Sequence, residues 1–128
     1  MSGLLDRILS YIANVPHIVE QGTSGIWTYR KWSDGTAECW GKTTQSKSFG
    51  AWGNIYSADL SPVSFPTGLF IDTPIITGAF RSGANGCSGL CATNFSKTST
   101  GDAIVLRGTS VSGSFTFTKS YCAVGKWK

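Results

Sequence analysis

The chain has 128 residues, a length that fits one domain, and only 14% of them are charged. Its 16 glycines and many Ser and Thr residues are typical of an all-β protein with many turns, and its aromatic and β-branched residues argue against disorder. The net charge of +4 comes from scattered Lys and Arg residues, which argues against a nucleic-acid-binding protein.

Residues 3–14 are predicted to form a short helix that ends before Pro16. Leu5, Ile8 and Ile12 recur at spacings of three and four, which is the seam of an amphipathic helix. Because a helix this short is marginal alone, the seam must pack on something. Two partners remain open: the rest of this chain, or copies of the helix in a parallel bundle.

The same segment indicates where the protein is made. It contains Asp6 and Arg7 and lacks the cleavage pattern of a signal peptide. It is also too short to span a bilayer, so no membrane insertion is expected. We therefore expect synthesis and folding in a cytoplasm.

The stretch WTYRKWSDGTAECWGK, residues 27–42, predicts a β-hairpin. Asp-Gly between two apolar runs is a strong hairpin signal. A two-residue loop would place Lys31 opposite Glu38, whereas a three-residue loop would place Arg30 there. Both registers give a pair of opposite charges, so both remain open.

The remainder of the chain predicts short strands separated by turns. Residues 42–66 hold at most short edge strands and a loop that carries Trp52 and Tyr56. In SFTFT the alternation places Phe115 and Phe117 on the inward face. Further strands are predicted at residues 68–82 (strongest over 74–80), 90–96, 103–108, 114–118 and 121–128. The pattern predicts an all-β fold, an antiparallel β-sandwich (or barrel) of about seven or eight strands with a short N-terminal α-helix. The helical segment then covers residues 1–16, and the β-sandwich domain covers residues 17–128.

No catalytic motif is present. His17 is the single histidine and follows the helix-ending proline. No nucleophile elbow, phosphate loop, dinucleotide fingerprint or zinc-protease motif occurs. Most of the acids lie in turns or have a basic partner, and nothing in the sequence points to the carboxylate pair of a glycosidase. We predict a non-enzyme without a cofactor.

The four cysteines are expected to be free, mostly buried thiols. The best disulfide candidate is Cys87 with Cys91, in the CSGLC stretch. A zinc site would need the isolated Cys39 and Cys122 as further ligands, whereas zinc sites usually show paired short spacings. No metal is therefore predicted.

A longer motif resembles a known family. The pattern Y-R-K-W-x-x-G-x-x-E-x-W-G, residues 29–41, occurs with FPTGLFIDTPII (65–76) and AVGKWK (123–128). Together they resemble the C-terminal domain of phage and prophage minor structural and tail proteins of Gram-positive bacteria. The resemblance covers residues 19–128 and extends, more weakly, to H-type lectin sandwiches.

The resemblance implies a domain at the end of a fibrous virion protein, often a trimer preceded by a helical stalk. Leu5, Ile8 and Ile12 would then form the seam of that stalk. The chain is shorter than such proteins, so we expect a fragment of a fibre or a small separate virion protein.

The resemblance also separates framework from binding residues. A motif that the fold requires should occur in family members whatever ligand they bind, whereas binding loops should differ between members. The hairpin residues are therefore expected to be framework: Trp27, Tyr29, Trp32, Glu38 and Trp40. Ligand binding is expected in the loops 52–56 and 81–91. The candidates are Trp52, Tyr56, Arg81 and Asn85, although Trp52 and Tyr56 could also be a minor core under a long loop.

The leading hypothesis is a homotrimeric virion domain, at a tail or fibre tip, that binds a host cell-surface glycan and contacts other virion proteins. Three weak sites on one trimer would gain avidity. The alternative is a structural trimerisation or capping component with no ligand. A polysaccharide depolymerase is a third hypothesis, without a supporting motif.

Overall fold

The structure is a computed structural model that describes residues 2–128 and, within them, the side chains of residues 3–86 and 94–128. In this part of the chain one helix precedes two antiparallel sheets. The elements are helix α1 (Ser2–Asn14) and strands β1 (Ile18–Ser24), β2 (Trp27–Trp32), β3 (Thr36–Ser48), β4 (Gly50–Trp52), β5 (Ile55–Leu60), β6 (Ile75–Ser82), β7 (Cys87–Thr93), β8 (Asp102–Arg107) and β9 (Ser114–Lys126).

Helix α1 ends before Pro16, as the sequence predicts, and stands apart from the strands. Leu5, Ile8 and Ile12 are 54%, 46% and 54% exposed. Within the described residues no strand packs against α1. No helix in residues 2–128 is long and apolar enough to cross a membrane. The predicted seam is thus an exposed apolar stripe.

The larger sheet has the strand order β1-β2-β3-β9-β6. Its centre is the long antiparallel pair of β3 and β9. The sequence predicted β9 as two strands, residues 114–118 and 121–128, but one strand runs through both. Lys119 is buried and Ser120 is exposed, so they continue the alternation of inward and outward side chains.

The hairpin of β2 and β3 has the longer of the two predicted loops, residues 33–35. Arg30 lies opposite Glu38, so the three-residue register is the one that forms. Gly35 has φ +95°, a conformation that strains residues with a side chain. The Asp34 carboxylate accepts a 2.9 Å hydrogen bond from the backbone N–H two residues later, which lowers the pKa of that carboxyl group.

The smaller sheet has the strand order β4-β5-β8-β7. The prediction of only edge strands and a loop for residues 42–66 is wrong, because β5 lies inside this sheet between β4 and β8. The inward side of β5 carries Tyr56, Ala58 and Leu60, and the last two are buried. The alternation of these residues with Ser57 and Asp59 is a strand signal, but so short a stretch does not show whether the strand lies inside a sheet or at its edge.

The core has two clusters: the first lies between the larger sheet and the loop of residues 61–74, and the second lies between the two sheets. Trp27 centres the first, with its ring 5.2 Å from that of Phe65 and 6.3 Å from that of Tyr121. The second surrounds Phe117, which is fully buried, and Phe115 packs against it from the same face, as predicted. Full burial of one such side chain contributes about 1.5–3 kcal/mol. The two packed sheets confirm the predicted all-β antiparallel sandwich.

Candidate functional site

The sandwich has two different ends along its strands. At the first, the His17 N–H donates to Ser33 Oγ (3.0 Å) and the Ser33 N–H donates to the His17 carbonyl (2.8 Å). We call this the helix end, because α1 joins the strands here. β3 and β6 begin towards this end and reach the opposite, far end at Ser48 and Ser82.

The four residues predicted to bind a ligand all lie towards the far end, but on different faces. Trp52 and Tyr56 flank the turn at residues 53–54 that joins β4 and β5. Trp52 is 55% exposed and is therefore not a minor core residue, whereas Tyr56 is half-buried on the inward-facing side of β5. Arg81 and Asn85 are exposed near the end of β6 and in the loop after it. The fold brings them to one half of the domain without forming one cluster, and their role in binding stays a prediction.

Arg107 is a far-end residue that the sequence did not single out. It lies opposite Tyr56 of β5 on one side and opposite Cys87 of β7 on the other. Its Nε is buried with no hydrogen-bond partner among the described residues. A Cβ added at Gly86 would lie 3.9 Å from that nitrogen. The only signal in the sequence is a cation at the end of the apolar run AIVLRG.

A groove crosses the outer face of the larger sheet, where β3, β9 and β6 run side by side. It is open and has a volume of about 730 Å³. We call it the outer groove. It is formed by two rows of residues that lie side by side on the three strands. The rows are Lys42–Ser120–Ala79 and Thr44–Thr118–Arg81.

The polar floor of the outer groove follows from the alternation in β9. Phe117, Lys119 and Tyr121 are buried, so Thr118 and Ser120 must face outwards. Beyond them the hydroxyl surface continues to the far end. There, Ser46 and Thr116 contact each other at 3.5 Å, and Ser48 and Ser114 at 3.1 Å.

A second, shallower hollow of about 290 Å³ adjoins the outer groove. The two share Ala79 and Ser120, and the second extends towards the helix end to Thr77 and Cys122. The Cys122 side chain is exposed. Together the hollows form an elongated surface across the sheet.

The outer groove is electropositive. Among the described residues that line it, Lys42 and Arg81 are the charged ones, and no acid is present. Glu38 lies on the same face of the sheet but is engaged elsewhere. Its Oε1 accepts a 3.2 Å hydrogen bond from Trp32 Nε1 and lies 3.9 Å from Arg30 Nη1.

Trp27 and Tyr29, both predicted as hairpin framework, face the core. Trp27 is 2% exposed, and its Nε1 donates a 2.7 Å hydrogen bond to the Ser64 carbonyl. Tyr29 is half-buried and packs against the same cluster. This geometry gives the two rings a structural position rather than an exposed stacking surface.

The remaining framework candidates, Trp32, Glu38 and Trp40, are partly buried. The Trp32 carbonyl accepts a 2.8 Å hydrogen bond from Trp127 Nε1, which ties the hairpin to the end of β9. The Trp40 ring lies under the Arg30 guanidinium, 5.0 Å from its central carbon. One face of this indole is therefore occupied by a cation within the chain.

Lys119 and Cys39 are two of the titratable side chains that are buried in the sandwich. Lys119 is 1% exposed, its Nζ donates to the Ser61 carbonyl, and burial lowers its pKa against the opposing effect of Asp102. Burial raises the pKa of the Cys39 thiol to about 12. Neither group reaches the outer groove, so both bear on stability rather than on binding.

In the described part of the chain, no three His, Cys, Asp or Glu side chains form a cluster that could hold a metal ion. Cys39 is buried and Cys122 is exposed, so the two thiols lie on opposite faces of the sheet. The predicted disulfide candidates, Cys87 and Cys91, both belong to β7, and their side chains lie outside the described residues.

No protein-family model matches the sequence, and the comparison with curated proteins gives no match. Among solved structures, the chain is similar to an N-truncated R1-type pyocin tail fibre, with a TM-score of 0.59 and 10% sequence identity. The similarity covers 97% of this chain and 94% of that chain. It shows a shared fold over nearly the whole chain. The resemblances to phage proteins of Gram-positive bacteria and to H-type lectins stay predictions.

Proposed function

We propose that this chain is a structural domain of a phage-type tail fibre, which forms a homotrimer through α1 and binds a host cell-surface glycan along the outer groove. The fold shared with the R1-type pyocin tail fibre supports the tail-fibre part of the proposal. Its place is then the virion, in contact with other virion proteins.

The observation that carries the proposal is the difference between the two halves of the molecule. An exposed apolar helix lies at one end, whereas a polar, cationic groove crosses the middle of the larger sheet, and hydroxyls continue from it to the far end. A fibre domain needs this arrangement, because one end must join the fibre while the other faces the host surface.

The trimer is supported by the geometry of α1. The seam of Leu5, Ile8 and Ile12 is about half exposed and contacts no strand in residues 2–128. A 13-residue helix is marginal alone, whereas parallel copies would bury the seam of each in the others. Glu20 and Lys31, 3.3 Å apart just beyond the helix, are already paired within the chain. The apolar seam is therefore the feature that we expect to drive assembly.

Glycan binding is supported by the chemistry of the groove. Thr44, Thr118 and Ser120 supply hydroxyls that both donate and accept hydrogen bonds, as sugar hydroxyls do. Outside the groove, on the edge strand β4 of the smaller sheet, Trp52 presents an exposed indole, which is a separate surface on which a sugar ring can stack. An open groove implies weak binding per domain, and three domains on one trimer would raise the avidity by about 10²–10⁴.

A binding role, rather than hydrolysis, is part of the proposal. Glycoside hydrolysis needs two carboxylates that flank the scissile bond. The described residues that line the outer groove include no acid, and His17 lies at the helix end. Release of reducing ends from host wall material would contradict this part.

The test combines mass and binding measurements on the full chain. Light scattering should give the mass of a trimer, and the same sample should bind host cells and members of a glycan array. A variant with Leu5, Ile8 and Ile12 each replaced by Asn should be monomeric and should bind at least about a hundredfold more weakly, because avidity is lost. An intact trimer that binds no cell and no glycan would contradict receptor binding and leave the structural role alone.

A further inference from the structure

We infer that the glycan recognised by the outer groove is anionic and carries phosphate or carboxylate groups along its chain. The inference rests on the proposed function of the same groove and names the chemical class of its ligand. It is carried by the charges of the groove, by the balance of its hydrogen-bond donors and acceptors, and by its shape.

Both cations of the outer groove are available to a ligand. Arg30 and Lys31, in the neighbouring strand β2, are paired with Glu38 and Glu20. Lys42 and Arg81, in contrast, make no ion pair with any residue of the described part of the chain. Two unpaired cations beside one groove, with no acid in its lining, attract negative charge.

The hydrogen-bonding inventory points the same way. Lys42 brings three N–H donors and Arg81 brings five, and neither side chain can accept. The acceptors that commonly hold neutral sugars, the carboxylates and amides of Asp, Glu, Asn and Gln, are absent from the described lining. The hydroxyls of Thr44, Thr118 and Ser120 can serve either role. The surplus of charged donors is therefore best satisfied by the oxygens of an anion.

The placement of the two cations suits a chain-like ligand. Lys42 and Arg81 lie on strands either side of β9, in adjacent rows of the ladder. With about 4.8 Å between strands and about 3.4 Å per residue, their Cα atoms are about 12 Å apart on the diagonal. The adjoining hollow extends the surface beyond Ser120 towards Cys122. A polymer with repeated anionic groups can reach both cations while its sugar units lie along the hydroxyls between them.

The experiment uses three probes with one backbone: dextran, carboxymethyl dextran and phosphorylated dextran of equal length. A glycan array with neutral and anionic members is measured in parallel. The test variant is Lys42→Gln with Arg81→Gln. The matched control is Lys47→Gln with Lys97→Gln, which removes two positive charges from exposed positions outside the groove. All three proteins are first shown to have the same mass and melting temperature.

The expected result is binding to anionic probes and array members that weakens with salt. The test variant should bind them about tenfold more weakly, because two exposed charge contacts are lost, and the control should stay within about twofold of the wild type. Preference for phosphorylated over carboxymethyl dextran, or the reverse, would identify the anion.

Two results would overturn the inference while the proposed function stands. One is binding to neutral and anionic glycans with equal affinity. The other is an equal loss in the test and control variants, which would show an effect of net charge alone. Binding to no cell and no glycan by an intact trimer would instead remove the proposed function and the inference together.

A chemical readout locates the ligand. Cys122 is exposed in the hollow that adjoins the groove, so a bound polymer should slow its alkylation by iodoacetamide. Peptide mass mapping separates Cys122 from the other thiols. Protection by the anionic probe in the wild type, and its loss in the test variant, is expected. Strong binding without protection of Cys122 would place the ligand elsewhere and count against the inference.

Discussion

The indole nitrogen of Trp27 donates a 2.7 Å hydrogen bond to the carbonyl oxygen of Ser64, so that one buried side chain joins the first hairpin to the segment before Phe65. Trp27→Phe keeps an aromatic ring but removes the donor and leaves that carbonyl without this partner. We expect the free energy of unfolding to fall by about 1–3 kcal/mol. Urea denaturation measures it, with Trp52→Phe as the control, because Trp52 is exposed and its replacement should change stability by less than about 0.5 kcal/mol.

Gly41 lies against the Ile26 carbonyl, and a Cβ there would overlap the carbonyl oxygen. Gly41→Ala therefore forces the turn before β2 away from β3 and should cost about 1–3 kcal/mol of unfolding free energy. Gly50→Ala is the matched control, since nothing lies within 4 Å of a Cβ at that position. Equal melting temperatures for the two variants would show that the turn relaxes without cost.

The helix seam should control assembly without affecting the sandwich. Because no strand in residues 2–128 contacts α1, replacing Leu5, Ile8 and Ile12 by Asn should convert the trimer to a monomer while the circular dichroism of the strands is unchanged. Asp6→Asn with Ser10→Asn is the control on the same helix and should stay trimeric. A trimer that survives the seam variant would place the subunit interface on the sandwich.

Cys39 and Cys122 should differ in thiol chemistry. Cys39 is buried with a pKa raised to about 12, whereas Cys122 is exposed. Since the thiolate is the reactive form, alkylation at pH 8 should modify Cys122 rapidly and Cys39 only after unfolding. Mass mapping after a short pulse of iodoacetamide tests this, and a Cys39 that reacts as fast as Cys122 would contradict the buried position.

The raised pKa of Cys39 also predicts alkaline destabilisation. Above the ordinary thiol pKa of 9.0 the unfolded chain loses its proton while the folded chain keeps it, so unfolding is favoured. The stability is fully present below pH 9 and is lost as the pH rises towards about 12. Cys39→Ala should therefore show a smaller loss of stability than the wild type between pH 8 and pH 10.5. Cys122→Ala, the control, should follow the wild type.

Lys119 should change the free energy of unfolding with pH in the opposite direction to Cys39. Burial lowers its pKa, so at a pH between its folded and its ordinary value the unfolded chain binds more protons than the folded chain. Its contribution to stability therefore rises with pH up to about 10.4, the ordinary lysine value. Lys119→Met removes this dependence. We expect the stability difference between wild type and variant to move in favour of the wild type as the pH increases from 7 to 10, and a constant difference would contradict burial of the ammonium group.

Local patterns in the sequence were sufficient for several elements. The spacing of Leu5, Ile8 and Ile12 and the position of Pro16 predicted α1, and alternation predicted the inward faces of Phe115 and Phe117. These signals depend on neighbours within one helix turn or one strand, so a single sequence contains them. The β2–β3 hairpin was predicted in the same way, although its register was not, because Arg30 and Lys31 are both cations that could face Glu38.

The course of β5 could not be read in this way. Its six residues alternate as a strand should, but its place between β4 and β8 is set by pairing with residues more than forty positions away. The burial of the Lys119 amine could not be predicted either, because a lysine in a polar stretch is ordinarily exposed. Only the packing of the second sheet encloses this one.

The sequence by itself determined the class of the fold, the amphipathic helix and the aromatic hairpin, since each follows from the order of apolar, polar and turn residues along the chain. The existence of the outer groove, in contrast, depends on the tertiary structure alone. Lys42, Arg81 and Ser120 are distant in sequence, and only the ladder of β3, β9 and β6 brings them to one surface. Strand order depends on the burial of whole sheet faces against each other, and no local pattern records which strands will be neighbours.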